Sequence, residues 1–183
     1  EDGSVSCLTG KSEMGQGIIT SLAQELADEL DVELSKVKMV MGDTDLCPWD
    51  MGTFGSMSTR FFGPPMRAAA AEARAILLQL GAERLGVPVE SLEVNNGLIS
   101  DKDDKAKKVS YADLTKGKKI EKHLELKPKV KDYTQFKIVG KPFLRQDAHL
   151  KVTGQAKYAG DIMFPDTLFA RILHPPSHGA KLV

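Results

Sequence analysis

The chain has 183 residues, of which 25 are lysine or arginine and 25 are aspartate or glutamate, so its formal net charge at pH 7 is zero. This balance gives no electrostatic reason for a nucleic-acid partner, and a hydrophobic content of 42% excludes an intrinsically disordered chain. The apolar stretches are far shorter than the roughly 18 residues of a membrane-spanning helix. We therefore expect a folded protein without a membrane span.

The two cysteines, Cys7 and Cys47, lie far apart in the sequence. Their spacing excludes the CxxC motifs of zinc and iron–sulfur sites, and it neither requires nor excludes a disulfide. The sequence begins with Glu1 and shows no secretory signal pattern. It therefore predicts a processed chain or a piece of a longer one, and it leaves the cellular compartment unknown.

The N-terminal part predicts a strand, a glycine-rich turn, a helix and a second strand, in that order. Residues 4–9 alternate in the manner of a strand, and the turn occupies residues 10–17. Apolar residues then recur at spacings of three and four, as in an amphipathic helix, at Ile19, Leu22, Ala23, Leu26, Ala27 and Leu30. Residues 37–41 form the second predicted strand, and a loop follows it.

A long alanine-rich helix and a hairpin are predicted next. The helix is expected from about Pro65 to Arg84, because proline suits a first helical turn and the Gly86–Pro88 segment stops the helix. The turn at residues 95–97, Asn-Asn-Gly, favours a tight hairpin between strands at 92–94 and 98–100. Ser110 is a typical N-cap of a short helix. Together these elements predict an α+β fold.

The lysine-rich stretch around residues 116–131 is interpreted as a solvated connector, because it lacks the aromatic residues that a nucleic-acid-binding arm would carry. The predicted divisions are a first domain at residues 1–118, a connector at 119–139 and a second unit at 140–183. An apolar pattern runs to Val183 without a stop signal, so we expect the second unit to be truncated.

The first candidate site is the glycine turn ahead of the first helix, with Gly15, Gln16 and Gly17. Backbone N–H groups at a helix N-terminus can bind an anion, and glycine permits close approach of a ligand. The Gln16 amide can hydrogen-bond a heterocycle. The same turn is also compatible with a purely structural role, and it matches neither a Walker loop nor a GxGxxG fingerprint.

The second candidate site precedes the alanine-rich helix and contains Gly55, Ser56, Met57, Ser58 and Thr59. Its hydroxyl and N–H donors have the composition of a phosphate or pterin cradle, although a capping and turn cluster would look the same. Two helix-start loops in one small domain favour a long phosphorylated ligand clasped at both ends.

Two other clusters favour structural roles. The aspartates at positions 43, 45 and 50 lack the spacing of a calcium loop and are interpreted as turn residues. His174 and His178 are four residues apart, but the two prolines between them exclude a shared helix face. No motif supports a nucleophilic triad.

As an ordered set, these segments resemble a known family. Residues 13–17 (EMGQG), 42–45 (GDTD) and 55–59 (GSMST), each in the position described, are similar to the molybdopterin-binding part of the xanthine oxidase and aldehyde oxidase molybdenum hydroxylases. The resemblance is strongest to the large subunit of bacterial isoquinoline 1-oxidoreductase-type enzymes. Residues 140–147 (GKPFLRQD), 151–154, 158–161 and 171–175 resemble the opening of that family's α/β hammerhead domain.

The resemblance implies a molybdopterin cofactor carrying molybdenum, expected in the cytosine dinucleotide form. It implies that Gln16 lies near the pyranopterin and the metal, with Gly15 and Gly17 as backbone contacts. It also implies that Gly55, Ser56, Met57, Ser58 and Thr59 contact the phosphate and pterin portions. The parent reaction would be hydroxylation of an aldehyde or an N-heteroaromatic compound with oxygen from water, with the metal supplying the nucleophile.

The family's glutamate base lies in a Gly-Glu-Pro-Pro-like motif that this sequence lacks, and the iron–sulfur cysteine motifs are absent too. Nothing identifies Glu13 with that base. We therefore expect no catalytic or metal-ligating residue in this chain, an inactive isolated chain, and as partners the remainder of the large subunit, an iron–sulfur small subunit and a small-molecule substrate. The alternatives are a non-catalytic nucleotide- or pterin-binding module and a structural assembly domain.

Overall fold

The computed structural model describes residues 2–181 and contains two compact units, one ending at Gln146 and one beginning at Asp147. The first unit has two small sheets and two long helices, which confirms the mixed helix and strand class. Strands β1 (Val5–Leu8) and β2 (Val37–Val40) are parallel, with Val5 opposite Val37, and helix α1 (Ile18–Leu30) connects them. This is the strand, turn, helix and strand order expected from the sequence.

The second sheet is the predicted hairpin with one further strand. Strands β3 (Leu92–Asn95) and β4 (Leu98–Asp101) are antiparallel, and β5 (Lys108–Ser110) pairs with β4. Asn96 and Gly97 both have positive φ, as a two-residue turn between twisted strands requires. Helix α3 (Tyr111–Thr115) begins at the predicted Ser110 cap, whose hydroxyl accepts from the Asp113 N–H. The third strand, β5, is absent from the prediction.

The core lies where α1 packs against α2 (Gly63–Leu85) and against the two sheets. Its fully buried members include Leu22, Ala23, Ala27 and Ile99. Helix α2 lies close to the hairpin, since a Cβ at Gly81 would stand 2.8 Å from Ile99 Cδ1. The amphipathic stripe of α1 predicted from spacing is therefore the stripe that builds this core.

Helix α2 begins earlier than Pro65, where the sequence placed its start. A π-helical turn at Ser58–Phe62 leads directly into Gly63, so the helical run starts within the second candidate loop. A residue before proline normally avoids the α conformation, but Gly63 has no Cβ to clash and adopts φ −52° and ψ −52°. Ser58 and Thr59 are consequently helical residues rather than loop residues.

The lysine-rich segment is not a free solvated connector, because its second half is bound to the first unit. The Lys127 ammonium lies 2.7 Å from the Glu72 carboxylate on α2. The buried Asp28 carboxylate accepts from three consecutive backbone N–H groups, those of Lys137, Ile138 and Val139, at 2.7–3.2 Å. Multiple N–H donors stabilise a buried carboxylate. The lysine content of the segment does not predict these contacts, because the residues that bind it, Asp28 and Glu72, are acidic residues on α1 and α2.

The second unit contains one short helix, α4 (Ala148–Val152), and a 3₁₀ turn at Ala159–Asp161. Its large apolar side chains are mostly exposed, with Leu168 and Leu173 more than 90% accessible. His174 and His178 are exposed and lie outside any helix, as the intervening prolines predict. The expected truncation of the second unit concerns the end of the chain, where Leu182 and Val183 lie outside the described residues. Within residues 2–181, no helix is both long and apolar enough to cross a membrane.

Candidate functional site

The two candidate loops lie side by side at the carboxyl ends of the parallel strands β1 and β2. The Ser12 backbone N–H donates to Thr53 Oγ1 at 2.8 Å, which joins the first loop to the second. The backbones of the two segments are also closely packed at Gly10. A Cβ there would stand 2.3 Å from Asp50 Cβ and 2.6 Å from the Pro48 carbonyl oxygen. Ligand sites of open sheets with parallel strands commonly lie at this edge.

The N-terminus of α1 carries its own anion, the Glu13 carboxylate. Glu13 Oε1 accepts from the N–H groups of Gly15 at 2.8 Å and Gly17 at 2.9 Å, and Oε2 accepts from Ile19 at 3.0 Å. Burial alone would raise the pKa of this carboxyl, but these backbone hydrogen bonds and the nearby Arg145 charge lower it below its usual value. The N–H groups of Gly15 and Gly17, expected from the sequence to face a ligand, are therefore already occupied.

Gln16 remains on the surface of the same loop. Its Nε2 donates to the Ser12 carbonyl at 3.0 Å, and its Oε1 accepts from the Met14 N–H at 2.5 Å. The side chain is exposed, and its primary amide has a second N–H with no hydrogen-bond partner among the described residues. The loop thus holds the amide in one orientation while leaving a donor for a ligand.

The second loop ends in a helix start without a capping side chain. Gly55 and Ser56 adopt successive left-handed conformations, with φ of 61° and 56°. Met57 stands at the N-cap of the π-helical turn and provides no side-chain hydrogen bond. The side chains of Ser56 and Thr59 are exposed, whereas Ser58 is buried. At α1 the Glu13 carboxylate neutralises the positive end of the helix dipole. At the start of this second helical run the N-cap residue is Met57, which has no carboxylate, so the positive end of the dipole keeps its charge.

The acidic residues near the loops have the contacts of turn residues. Asp43 accepts from the N–H groups of Asp45 and Leu46 at 3.0 and 2.9 Å, and Asp50 accepts from the Gly52 N–H at 2.8 Å. The hydrogen bond from Lys11 lowers the pKa of the Asp50 carboxyl. Among residues 2–181, no group of three or more His, Cys, Asp or Glu side chains is arranged to hold a metal ion.

A recess of about 510 Å³ opens between the first loop and the segment after β2. Gly10, Ser12, Gly42, Asp43, Thr44, Cys47, Pro48, Trp49 and Asp50 line it. None of the eight predicted site residues is among them. Cys7 and Cys47 are both free thiols, and burial raises the pKa of Cys7. Of these wall residues, the sequence singled out Gly42, Asp43 and Thr44 in the 42–45 motif, and it placed Gly10 and Ser12 in the glycine-rich turn.

The molybdopterin cofactor-binding domain family is matched over residues 1–156. The chain belongs to this family. Three individual relatives extend the match. A subunit of the nicotinate dehydrogenase of Pseudomonas putida is 36% identical over 179 residues, which are 98% of this chain and 15% of that protein. The beta subunit of the isoquinoline 1-oxidoreductase of Brevundimonas diminuta is 26% identical, over 97% of this chain and 28% of that protein.

Carbon monoxide dehydrogenase of Oligotropha carboxidovorans is the third relative, and its solved structure resembles this one with a TM-score of 0.54. The two are 31% identical over 61% of this chain and 14% of that chain. This molybdopterin cofactor-binding chain thus spans between about one seventh and about one quarter of the relatives that it matches. The match confirms the family resemblance drawn from residues 13–17, 42–45 and 55–59, and it favours that interpretation over a structural assembly domain.

Proposed function

We propose that this chain is the part of a molybdenum hydroxylase that holds the molybdopterin cofactor, with Gly15, Gln16 and Gly17 in one binding loop and Gly55, Ser56, Met57, Ser58 and Thr59 in the other. The observation that carries the proposal is the hydrogen bond from Ser12 to Thr53, because it brings two separate loops to the same edge of the fold. The family match supports the cofactor's chemical class.

The two loops offer different chemistry, which suits a ligand with two unlike ends. Gln16 presents an oriented amide, which can recognise the polar edge of a pterin ring. The second loop presents hydroxyl groups and an uncapped helix N-terminus, which suit phosphate oxygens. We assign the ring end to the first loop and the phosphate end to the second. Gly15 and Gly17 then serve the turn geometry and the approach of the ligand, rather than donating N–H groups to it.

When bound, such a cofactor supplies a redox-active metal centre for hydroxylation of a carbon atom with oxygen from water. The residues of this chain would bind and orient it. Glu13 is unsuited to act as a general base, because its carboxylate is stabilised by three backbone N–H groups and its pKa is lowered. The catalytic base and the electron route would therefore lie outside these residues.

The finer assignments are part of the same proposal. The cofactor is the cytosine dinucleotide form, iron–sulfur clusters reside on a partner subunit or domain, and the substrate is an aldehyde or an N-heteroaromatic compound. The divisions along the sequence are 1–118, 119–139 and 140–183, with residues 119–146 belonging to the first compact unit of the fold, and the last division begins a hammerhead domain. The names of the relatives, which include a nicotinate dehydrogenase and an isoquinoline oxidoreductase, support the substrate class.

The test uses the full-length protein that contains this chain. Molybdenum is measured by elemental analysis, the pterin by its fluorescent oxidation product, and the nucleotide by hydrolysis and chromatography. We expect one molybdenum and one cytidine monophosphate for each pterin. Purified protein with neither molybdenum nor pterin would refute the proposal, and a different nucleotide would refute only the cytosine form. Gln79→Ala, on α2, is the matched control for variants of Gln16.

A further inference from the structure

Lys11 is a buried cation between the two candidate loops, and the sequence reasoning did not select it. It is 7% exposed. Its Nζ donates to Asp50 Oδ1 at 2.8 Å and to the Gly52 carbonyl oxygen at 2.8 Å, and it lies 5.9 Å from the centre of the Phe62 ring. One side chain from the first loop therefore contacts three positions that lead into and out of the second loop.

This arrangement is more than a surface ion pair. The side chains of Lys11 and Asp50 are only 9% and 18% exposed, so solvent screens the pair weakly. A buried ammonium is costly unless it is paired and hydrogen-bonded, so much of the attraction between Lys11 and Asp50 offsets the cost of their burial. The neighbouring hydrogen bond from the Ser12 N–H to Thr53 Oγ1 joins two uncharged groups, so Lys11 provides the charged contact between the loops.

We propose that Lys11 is a positioning residue that sets the distance between the two cofactor-binding loops, by holding Asp50 and Gly52 against the end of β1. Gln16 lies five residues after Lys11, and Ser56 lies four residues after Gly52. A shift at the Lys11 contacts would therefore displace the start of both loops relative to each other. The proposal rests on the assignment of these loops to the cofactor, but its first test does not involve the cofactor.

The first test is residue-resolved amide hydrogen exchange on the cofactor-free 183-residue chain. The variant is Lys11→Met, which keeps the length of the side chain and removes its charge and donors. We expect the Ser12 and Gly52 amides to exchange at least about tenfold faster, while the core amides of Leu26 in α1 and Ile99 in β4 change by less than about twofold. The control is Lys105→Met, which removes the exposed ion pair with Glu93 in the hairpin.

Two results would overturn the proposal. In the first, Ser12 and Gly52 respond to Lys11→Met no more than to Lys105→Met. In the second, all amides accelerate by the same factor, because this indicates a loss of global stability rather than of loop position. Lys11→Arg keeps the charge and the donors, so it should restore slow exchange at both amides relative to Lys11→Met. If it exchanges as fast as Lys11→Met, the hydrogen bonds are not responsible.

The second test measures the pterin content of the full-length protein with the same variants. We expect Lys11→Met to lower it at least about threefold, and Lys11→Arg to retain more of it. Faster exchange at Ser12 and Gly52 with unchanged pterin content would show that Lys11 holds the loops together but that the loops do not hold the cofactor. In that case the proposed cofactor-binding role of the loops is wrong, and the role of Lys11 in cofactor binding is wrong with it. Unchanged exchange at Ser12 and Gly52 would instead show that Lys11 does not hold the loops in place.

Discussion

Glu25 carries a carboxylate whose protonation should control stability near neutral pH. One of its oxygens, Oε2, is buried without a hydrogen-bond partner in the described part of the chain. It faces the start of α2, since a Cβ at Gly63 would stand 2.6 Å from it. Burial is the main cause that raises the pKa of Glu25 from 4.5 to about 7, with Glu29 adding to the rise and Arg67 opposing it.

The sign of the effect follows from the two pKa values. Between pH 4.5 and about 7 the folded protein keeps a proton that the unfolded chain has released, so the free energy of unfolding falls as the pH rises through this window. One pKa unit corresponds to about 1.4 kcal/mol, so a shift from 4.5 to about 7 would cost at most about 3–4 kcal/mol above pH 7. Glu25 is only partly buried, and screening by solvent reduces this cost to about 1–3 kcal/mol.

The substitution Glu25→Gln mimics the protonated side chain and removes the charge. We expect the variant to be more stable than the parent chain by about 1–3 kcal/mol at pH 8, with the difference vanishing as the pH approaches 4.5. Urea unfolding followed by circular dichroism at pH 5, 6, 7 and 8 measures this difference. The exposed Glu83→Gln on α2 is the control and should show no such trend. A stability difference for Glu25→Gln that does not change with pH would refute the reasoning.

Three further outcomes follow from the site and its supports. Gln16→Ala in the full-length protein should lower molybdenum and pterin content and change the free energy of unfolding by less than about 0.5 kcal/mol, because the side chain is exposed; full occupancy would remove Gln16 from the site. Asp28→Asn should destabilise the chain by about 1–3 kcal/mol in urea unfolding, because both carboxylate oxygens accept from the three N–H groups, whereas the asparagine amide keeps one acceptor oxygen and turns an NH2 donor toward them; an unchanged midpoint would contradict this. The 183-residue chain should show no aldehyde or heteroaromatic turnover with any electron acceptor, and any turnover would contradict the assignment of the base to another part of the protein.

The sequence predicted the elements whose determinants are local. The spacing of Leu22, Ala23 and Leu26 predicts the buried stripe of α1, and Asn96 with Gly97 predicts the hairpin turn. The Ser110 cap of α3 is likewise found where the sequence places it. In each of these cases a few neighbouring residues determine the local structure, and the tertiary contacts favour the same structure.

The features that the sequence did not predict depend on the folded geometry of a loop or on partners far along the chain. Glu13 fills the helix N-terminus from the same loop, but only folded geometry shows that its carboxylate reaches the N–H groups of Gly15 and Gly17. The pairing of Lys11 with Asp50 spans 39 positions, and that of Asp28 with residues 137–139 spans more than 100. Composition and periodicity carry no information about such pairs.

The identity of the candidate site residues came from the ordered set of motifs rather than from their chemistry. Taken singly, Gly55 and Ser58 could equally belong to a helix-capping turn. Their assignment to the cofactor stays a prediction until the occupancy of variants is measured. The structure supports this assignment, because it brings the two loops to one edge of the fold. The hydrogen-bond donors expected to contact the cofactor are now the Gln16 amide and the N–H groups at the start of the π-helical turn before α2, rather than the glycine N–H groups.

The wide turn at Ser58–Phe62 also constrains how this segment tolerates insertions and deletions. A π-helical turn holds one more residue than an α-helical turn and is often equivalent to an insertion into a regular helix. Deleting one residue there would restore an ordinary α-helical turn and leave the segment before it in nearly the same orientation about the axis of α2. Thr53 would then keep its place beside Ser12, and the helix after Gly63 would keep its packing against α1. This turn is therefore the position between Thr53 and Gly63 where the loss of one residue disturbs the two loops least.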